Sequence, residues 1–584
     1  MSMPVGPLFP VMAVHLTVTA APHVGHLFTL VLTDILKRWQ VLLGDHRATM
    51  LTGTDEHGMK IQKAAQKAGL DVKLFCDKHM RQFEQLSHKA DISYDHFIRT
   101  TDPVHKAAVE HFWQELNHRG YIYESKHEGW YSVSDETFFP QSSVHLVLDP
   151  STGRKHMASM ETGREVEWTS EINYHFRLSE FKGRLLKHYK ENPDFIIPAS
   201  RQSFIIKEIE SGLQDLSVSR PATRLQWGIP VPNDESQTIY VWLDALINYL
   251  TYAGYPFAPG SEKDSIWPPN CQVIGKDIIK FHCIYWPAFL MALDIPLPKQ
   301  FLTHAFWTMN REKMSKSVGN VVNPFFAIDR FDTDTMRYYM ASDGGIVDDA
   351  DYDNLYIVDR YKKGLQGGLG NLVSRIIRGK KWDIRESVQH AERSDRRQSV
   401  QNDAESNSIE DQEAAKPSTT PAKSGSSRER ALLRAQMEST PKLAAQHMEA
   451  LNPRAALHSL MDLIYSVIIP RPISMYLLTF LQTNRYLHHT KVWDLVKDPN
   501  PAAQEQVQNI IFTCAESIRI SAILLQPFMP SKMKRCLDLL GVEESKRKFN
   551  DARYRADYTY GIPLVDPGKA GSESTLFPPL VAEW

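Results

Sequence analysis

Cysteine is scarce: five residues in 584 (Cys76, Cys271, Cys283, Cys514 and Cys536), with no C-x-x-C pair among them. That scarcity argues against a disulfide framework and a thiolate zinc site, and it fits a reducing or neutral compartment. No apolar run of membrane-spanning length is free of charges and prolines, so no membrane partner is expected. The formal net charge of −2 supplies no global basic field, so any contact with a polyanion must come from local patches. Met1 to Ala21 contains no Lys or Arg, which argues against a basic amphipathic leader. What is present is bulk: 42% hydrophobic residues suffice for several cores, so two to four domains are expected. Twenty-three histidines and twelve tryptophans are spread along the chain and mark no metal box.

Two short stretches carry chemistry. Pro22-His23-Val24-Gly25-His26 places two imidazoles around a glycine just before an apolar run. Leu30, Leu32, Ile35, Leu36 and Trp39 of that run suit a buried helix face. Unsatisfied N–H groups and a positive dipole at a helix start make anionic phosphate the natural ligand of His23 and His26. Gly25 allows a nucleotide to come close to the backbone. About 290 residues on, Lys313-Met314-Ser315-Lys316-Ser317 sets two lysines three apart among hydroxyls, ahead of Gly319 and Asn320. It reads as a phosphate-gripping loop.

Other segments have clear local readings. Leu51 to Gly58 is a strand-to-loop junction carrying Asp55. Trp242, Ala245 and Tyr249 fall near one helical face, at i, i+3 and i+7. Val273 to Ile278 reads as a strand entering a glycine turn at Gly275, with Asp277 in the turn and His282 on the following helix. Asn371 and Arg375 lie four apart on another helix face.

Together, in this order and at these distances, these motifs resemble the class I aminoacyl-tRNA synthetases, and within them the methionyl-tRNA synthetase family in its mitochondrial and bacterial-like branch. Glu128-Gly129-Trp130-Tyr131, Asp215 to Arg220 and Trp227 to Pro232 are similar to the same family. The resemblance covers roughly residues 18–382 and, less tightly, 431–560. It implies ATP-dependent activation of methionine and transfer to tRNA(Met). His23, His26, Lys313 and Lys316 would be catalytic. ATP would be held by His23, Gly25, His26, Gly275, Asp277 and the segment Lys313, Met314, Ser315, Lys316, Ser317. Methionine would meet Asp55, Arg220, Trp242, Ala245, Tyr249, Ile278 and His282. Asn371, Arg375 and Trp493 would read the anticodon. Mg²⁺ is implied only as the ATP counter-ion. A mitochondrial matrix location is implied, with the cytoplasm as the alternative.

The implied fold is a doubly wound, Rossmann-type parallel α/β sheet with an inserted connective domain, followed by an α-helical bundle. The expected divisions are 1–119 and 216–310 for the two halves of the sheet, 120–215 for the insertion and 311–360 for the lysine loop and stem-contact region. Residues 361–560 would form the bundle and 561–584 a tail. Relatives often carry a cysteine-ligated zinc knuckle in the insertion; 120–215 has no cysteine, so no structural zinc is expected. Nothing after 560 resembles a dimerisation module, so a monomer is expected.

Several features depart from the pattern. The family's Tyr-Val-Asn before the histidine motif is replaced by Thr17-Val18-Thr19. With Pro4, Pro7 and Pro10, the start reads as an edge strand after a frayed tail, and as one that has lost a presequence and the true first strand. Residues 384–430, polar with almost nothing apolar, are expected to be disordered. Ser466 to Gln482, with Pro470 and Pro472, reads as an insertion or translated intron that breaks a bundle helix. Val492 replaces a proline before Trp493. The rival readings are a synthetase for leucine, isoleucine or valine, which need a larger editing insertion, or for cysteine, which needs zinc thiolates. A catalytically impaired tRNA-binding relative or a defective gene product is the alternative from another class.

Overall fold

The structure is a computed structural model. It describes residues 10–13, 16–17, 21–133, 137–148, 153–258, 265–314, 319–379, 381–406, 425–468, 485–565 and 575–580. Two compact units emerge: Met1–Lys37 with Arg47–Ala327 and Gly344–Asp351, and Arg38–His46 with Ile328–Asp343 and Tyr352–Trp584.

The first unit is built on a seven-stranded sheet whose pairings are all parallel. Pro10–Ala13 lies between Cys271–Gly275 on one side and Thr49–Asp55 on the other. Beyond Cys271–Gly275 come Phe301–His304 and then Ile196–Ile197; His96–Arg99 and Leu16–Thr17 pair with Thr49–Asp55. The strand order therefore reverses between Pro10–Ala13 and Cys271–Gly275, and parallel α/β sheets bind ligands at such a switch, outside the carboxyl ends of the strands. The first strand is not the expected edge strand. Val11 pairs with both Cys271 and Met50. Pro10 occupies the first strand residue, where a missing N–H is tolerated, and no proline follows in the strand.

Val24–Leu43 forms the first helix, and Leu30, Leu32, Ile35, Leu36 and Trp39 are all at most 2% exposed. Each such side chain contributes about 1.5–3 kcal/mol of burial free energy. Residues 120–215 do not form the insertion alone: an antiparallel sheet is built from 122 to 176, while Ile196–Ile197 returns to the parallel one. The spine of the antiparallel sheet is Ile122–Ser132 against Glu165–Phe176, in register from Ile122↔Phe176 to Tyr131↔Glu167.

The second unit is helical. Asn354–Arg360 runs through a π-helical stretch, Tyr361–Gly370, into Asn371–Ile377; Ile384–Ser406, Gly425–Glu449, Pro453–Ile468, Pro501–Leu525 and Pro530–Leu540 follow. Helix Ile384–Ser406 corrects the expectation of disorder from 384. Ile384, Val388 and Ala391 recur at helical spacing and are buried, and the Ser387 hydroxyl donates to Gln508 Oε1. Residues 384–395 of this helix are also anchored through polar groups: the Arg385 guanidinium donates to the Tyr558 and Tyr560 carbonyls, and Asp395 pairs with Arg555 and Tyr558. Helix Gly425–Glu449 likewise begins inside the expected disordered stretch; 407–424 fall outside the described residues. So do 469–484, which hold Pro470, Pro472 and nearly all of the expected insertion; Pro453–Ile468 ends just before them.

Pro501–Leu525 is long and apolar enough to cross a membrane, but 89% of its apolar window is buried within the protein. It also carries a fully buried ion pair. Arg519 meets Glu516 through Nη2–Oε1 (2.7 Å) and Nε–Oε2 (2.9 Å), and Tyr560 Oη donates to Glu516 Oε2 at 2.8 Å. Arg519 Nη2 also donates to the Arg553 carbonyl, so the pair fastens residues 551–560 to the helix. Arg519→Ala leaves the Glu516 charge buried without its partner, and is expected to destabilise the bundle by about 3–5 kcal/mol. Chemical denaturation followed by circular dichroism measures this; a loss below about 1 kcal/mol contradicts it.

Candidate active site

The histidine motif sits at the start of the first helix, downstream of the central strand. The His23 carbonyl accepts from the His26 and Leu27 amides at 2.9 and 3.2 Å, which closes the first turn. The Gly25 amide donates to His23 Nδ1, and the His23 amide donates to His26 Nδ1, both at 3.1 Å. Each ring thus accepts at Nδ1, so the neutral imidazole carries its proton on Nε2 and presents an N–H donor. The two rings stack at 3.7 Å between centroids, and His26 meets the Phe83 edge at 5.1 Å. Gly25 leaves room for this ring arrangement: a Cβ there would lie 2.8 Å from His23 Cε1, so the His23 ring would have to move.

Across the switch point, Gly275 and His304 are register partners at the ends of adjacent strands. A Cβ on Gly275 would lie 2.8 Å from Asp277 Oδ1 and 3.7 Å from His304 Cε1. His304 Nδ1 faces the Ala305 carbonyl at 2.9 Å, and burial lowers the pKa of this imidazole. A neutral ring that donates at Nδ1 must accept at Nε2, and Thr29 Oγ1 lies there at 2.8 Å. His304 therefore ties the histidine-motif helix to the Gly275–Asp277 turn. Its own sequence signal is only that it ends an apolar strand, and sequence reasoning missed it.

The lysine loop leaves a short strand, Glu312–Lys313, paired with Trp307–Met309. Asn320 Nδ2 donates to the Lys313 carbonyl at 3.3 Å, and the Val24 amide donates to the Val322 carbonyl, so the loop base adjoins the histidine-motif helix. The Lys313 ammonium stands 4.3 Å over the Phe306 ring, with Lys276 4.4 Å from the same ring and paired to Asp349 at 2.6 Å. Met314 is half-buried; Ser315, Lys316 and Ser317 fall outside the described residues.

Four expected pocket residues come together. Helix Val241–Tyr252 carries Trp242, Ala245 and Tyr249, and a π-helical turn, Phe281–Tyr285, carries His282. His282 Nδ1 is 3.1 Å from the Ile278 carbonyl, and Nε2 is 3.0 Å from Tyr249 Oη. Burial lowers the His282 pKa to about 4, so the ring is neutral: Nδ1 donates to Ile278 and Nε2 accepts the Tyr249 hydroxyl proton. Trp242 stacks on Phe281 at 3.7 Å and meets the His282 edge at 6.3 Å. Asp55 ends its strand, 6% exposed. Arg220 is placed differently. Its guanidinium is caged by the rings of Tyr131, Phe138 and Tyr240 at 4.8–5.1 Å, and Nη1 is committed to Ser217 and Ser219 oxygens. It packs on Tyr240, the residue that caps the Trp242 helix.

In the second unit Asn371, Arg375 and Trp493 also converge. Arg375 Nε donates to Asn371 Oδ1 at 2.9 Å, and the guanidinium stands 5.8 Å from the Trp493 ring. Trp382, which sequence reasoning missed, meets Trp493 at 6.4 Å. Among the described residues no group of three or more His, Cys, Asp or Glu could hold a metal ion, and residues 120–215 contain no cysteine, so the residues present do not fit a thiolate zinc.

The profile of the family described as tRNA synthetases class I (M) matches residues 12–377. The chain belongs to that family. It is 47% identical over 97% of its length to a probable mitochondrial methionine–tRNA ligase of Neurospora crassa, covering 84% of that protein. It is 37% identical to the human mitochondrial methionine–tRNA ligase, covering 96% of this chain and 89% of that one. Among solved structures it is similar to Mycobacterium tuberculosis methionyl-tRNA synthetase bound by methionyl-adenylate, with a TM-score of 0.81 at 32% identity, over 98% of this chain and all of the other. The family's parallel α/β architecture is the one described above.

A neutral His282 has a direct consequence. Its folded pKa of about 4 lies below the ordinary histidine value, so it binds no second proton until the pH falls toward 4. In ¹⁵N-histidine spectra its ring is expected to hold the Nδ1–H tautomer unchanged from pH 8 to pH 5.5. Titration of that resonance near pH 6.5 would contradict the assigned hydrogen bonds.

Proposed function

We propose that this chain activates methionine with ATP and transfers it to tRNA(Met), serving protein synthesis in the mitochondrial matrix. The observation that carries the reading is the pair of imidazoles whose Nδ1 atoms accept backbone amides at a helix start, on a helix that the Thr29–His304 bond ties to the strand end beside Gly275 across the switch point. The aromatic pocket of Trp242, Tyr249 and His282 supplies the amino-acid end, and the mitochondrial relatives support the compartment.

In the first step the methionine carboxylate oxygen attacks the α-phosphorus of ATP; the bond to the bridging oxygen breaks and pyrophosphate leaves. No covalent enzyme intermediate is needed, so the protein contributes position and charge. The Nε2–H groups of His23 and His26 donate to phosphate oxygens as negative charge grows on them. Lys313 leaves the Phe306 ring and, with Lys316, neutralises the departing pyrophosphate, and Met314, Ser315 and Ser317 contribute to binding ATP. Gly275 leaves room for the ribose and Asp277 accepts its hydroxyl protons. Mg²⁺ enters as the counter-ion of the substrate. Asp55 holds the methionine ammonium, while Trp242, Ala245, Tyr249, Ile278 and His282 enclose the thioether, which suits aromatic neighbours. Arg220 acts on this pocket through Tyr240. In the second step a terminal ribose hydroxyl of the tRNA attacks the methionyl carbonyl and AMP leaves.

Asn371 and Arg375 on one helix and Trp493 on another offer an amide, a guanidinium and an indole side by side, groups that bond to and stack on unpaired bases. The protein acts as a monomer.

Purified protein is expected to exchange pyrophosphate into ATP with methionine, and not with leucine, isoleucine or cysteine; equal exchange with a second amino acid removes this reading. Trp493→Ala is expected to lower tRNA aminoacylation while leaving methionine-dependent exchange nearly intact. Loss of one stacked base is worth roughly 1–3 kcal/mol, or about five- to 150-fold in affinity. Melting temperature measured alongside separates this from a packing defect, in which both activities fall with the folded fraction.

A further inference from the structure

The helix that carries the pocket wall has a second face with its own chemistry. At about 100° per residue, Trp242, Ala245 and Tyr249 share one face of Val241–Tyr252, and Asp244 and Thr251 lie roughly opposite. Asp244 is fully buried and both of its oxygens are taken: His57 Nδ1 stands 2.7 Å from Oδ2 and His105 Nε2 stands 2.8 Å from Oδ1. His105 reaches Thr251 through its other nitrogen at 3.1 Å, so one imidazole spans the back face from Asp244 to Thr251. Burial alone would raise the carboxyl pKa, yet the two imidazoles hold it down at about 2, and the carboxylate is ionised throughout the working pH range.

His57 lies two residues beyond Asp55, and the segment between them is pinned. Trp227 Nε1 donates to the Glu56 carbonyl, and the Gly58 amide donates to the Trp227 carbonyl at 3.1 Å. The Glu56 side chain is gripped by Arg99 at 2.7 and 2.8 Å and by the Thr54 and Thr101 hydroxyls. A buried ion cluster adds little stability over apolar packing of the same volume, but its bonds are directional where apolar contacts are not. A helix turned about its axis by about 20° carries an atom about 7 Å from the axis through about 2 Å, beyond what a productive site tolerates.

We propose that Asp244, held between His57 and His105, is a positioning residue of the amino-acid pocket: it sets the rotation of the Trp242–Tyr249 face against the Asp55 strand end, and thereby the fit of substrate between ammonium anchor and thioether wall. This rests on the methionine reading of the pocket given above.

The test uses the geometry of the two donors. An asparagine amide nitrogen falls near a histidine Nδ1, and a glutamine amide nitrogen near Nε2. His57→Asn and His105→Gln therefore keep the donor to Asp244; His57→Gln and His105→Asn misplace it. In pyrophosphate exchange, with active sites titrated and melting temperatures recorded, the misplaced pair is expected to raise the KM for methionine about tenfold or more, with the KM for ATP within about twofold. The matched pair is expected to stay within about threefold of the unsubstituted protein for both. Unchanged methionine KM in the misplaced variants, with only the active fraction or melting temperature lowered, overturns the positioning role and leaves the methionine reading standing. So does equal damage in matched and misplaced variants, which signifies space-filling. Failure of the unsubstituted protein to use methionine overturns both.

Discussion

Parallel strands place all their carboxyl ends on one side of a sheet, and several polar groups of the candidate active site are positioned from that edge. Asp55 ends one strand, Gly275 and His304 end two more, and the histidine motif lies downstream of the strand between them. Strand order reverses beside Pro10–Ala13, which is where sheets of this kind open a ligand crevice. Residues hundreds of positions apart become neighbours because the sheet register makes them so. The Thr29–His304 bond spans 275 positions and is the direct tie between the two sides of that crevice.

The histidines around this edge share one arrangement. His23 and His26 each accept a backbone proton at Nδ1, and His282 and His304 each face a backbone carbonyl through Nδ1. A backbone partner assigns the tautomer, and the tautomer assigns what the other nitrogen does. The outcome is opposite in the two cases: Nε2 carries the proton in His23 and His26, and in His304 and His282 it accepts one, from Thr29 and Tyr249. In the proposed mechanism one residue type thus serves both an anion and a neutral thioether, with the main chain deciding which.

Much of this was legible in the sequence where the signal is local. The helix after the histidine motif is written in the spacing of Leu30, Leu32, Ile35, Leu36 and Trp39, all buried, and the pocket face in Trp242, Ala245 and Tyr249. What was not legible depends on distant partners. Asp244 meets His57 and His105 across 187 and 139 positions, and no local period encodes either contact. Helix Ile384–Ser406 was read as disordered because three apolar residues vanish in the average of a polar window; its polar anchors lie near residues 555–560. The first strand was read as an edge because three prolines dominate its neighbourhood, although only Pro10 belongs to the strand and stands at its start.

The way charge is held separates what must be rigid from what must move. Glu56, Asp244 and Glu516 are each fully buried, and each has several directional donors, so removing one partner strands a charge in a poor solvent. Such carboxylates hold a geometry at some cost in stability. Lys313 is the reverse: it is exposed and rests against the Phe306 ring, a contact worth about 0.5–1 kcal/mol at an exposed site. In the proposed mechanism, charge-assisted bonds to a departing pyrophosphate outweigh that contact. On that reading Glu56 and Asp244, which fix a geometry, and a lysine parked on a ring answer one requirement, since binding energy accelerates the reaction only where it is realised in the transition state.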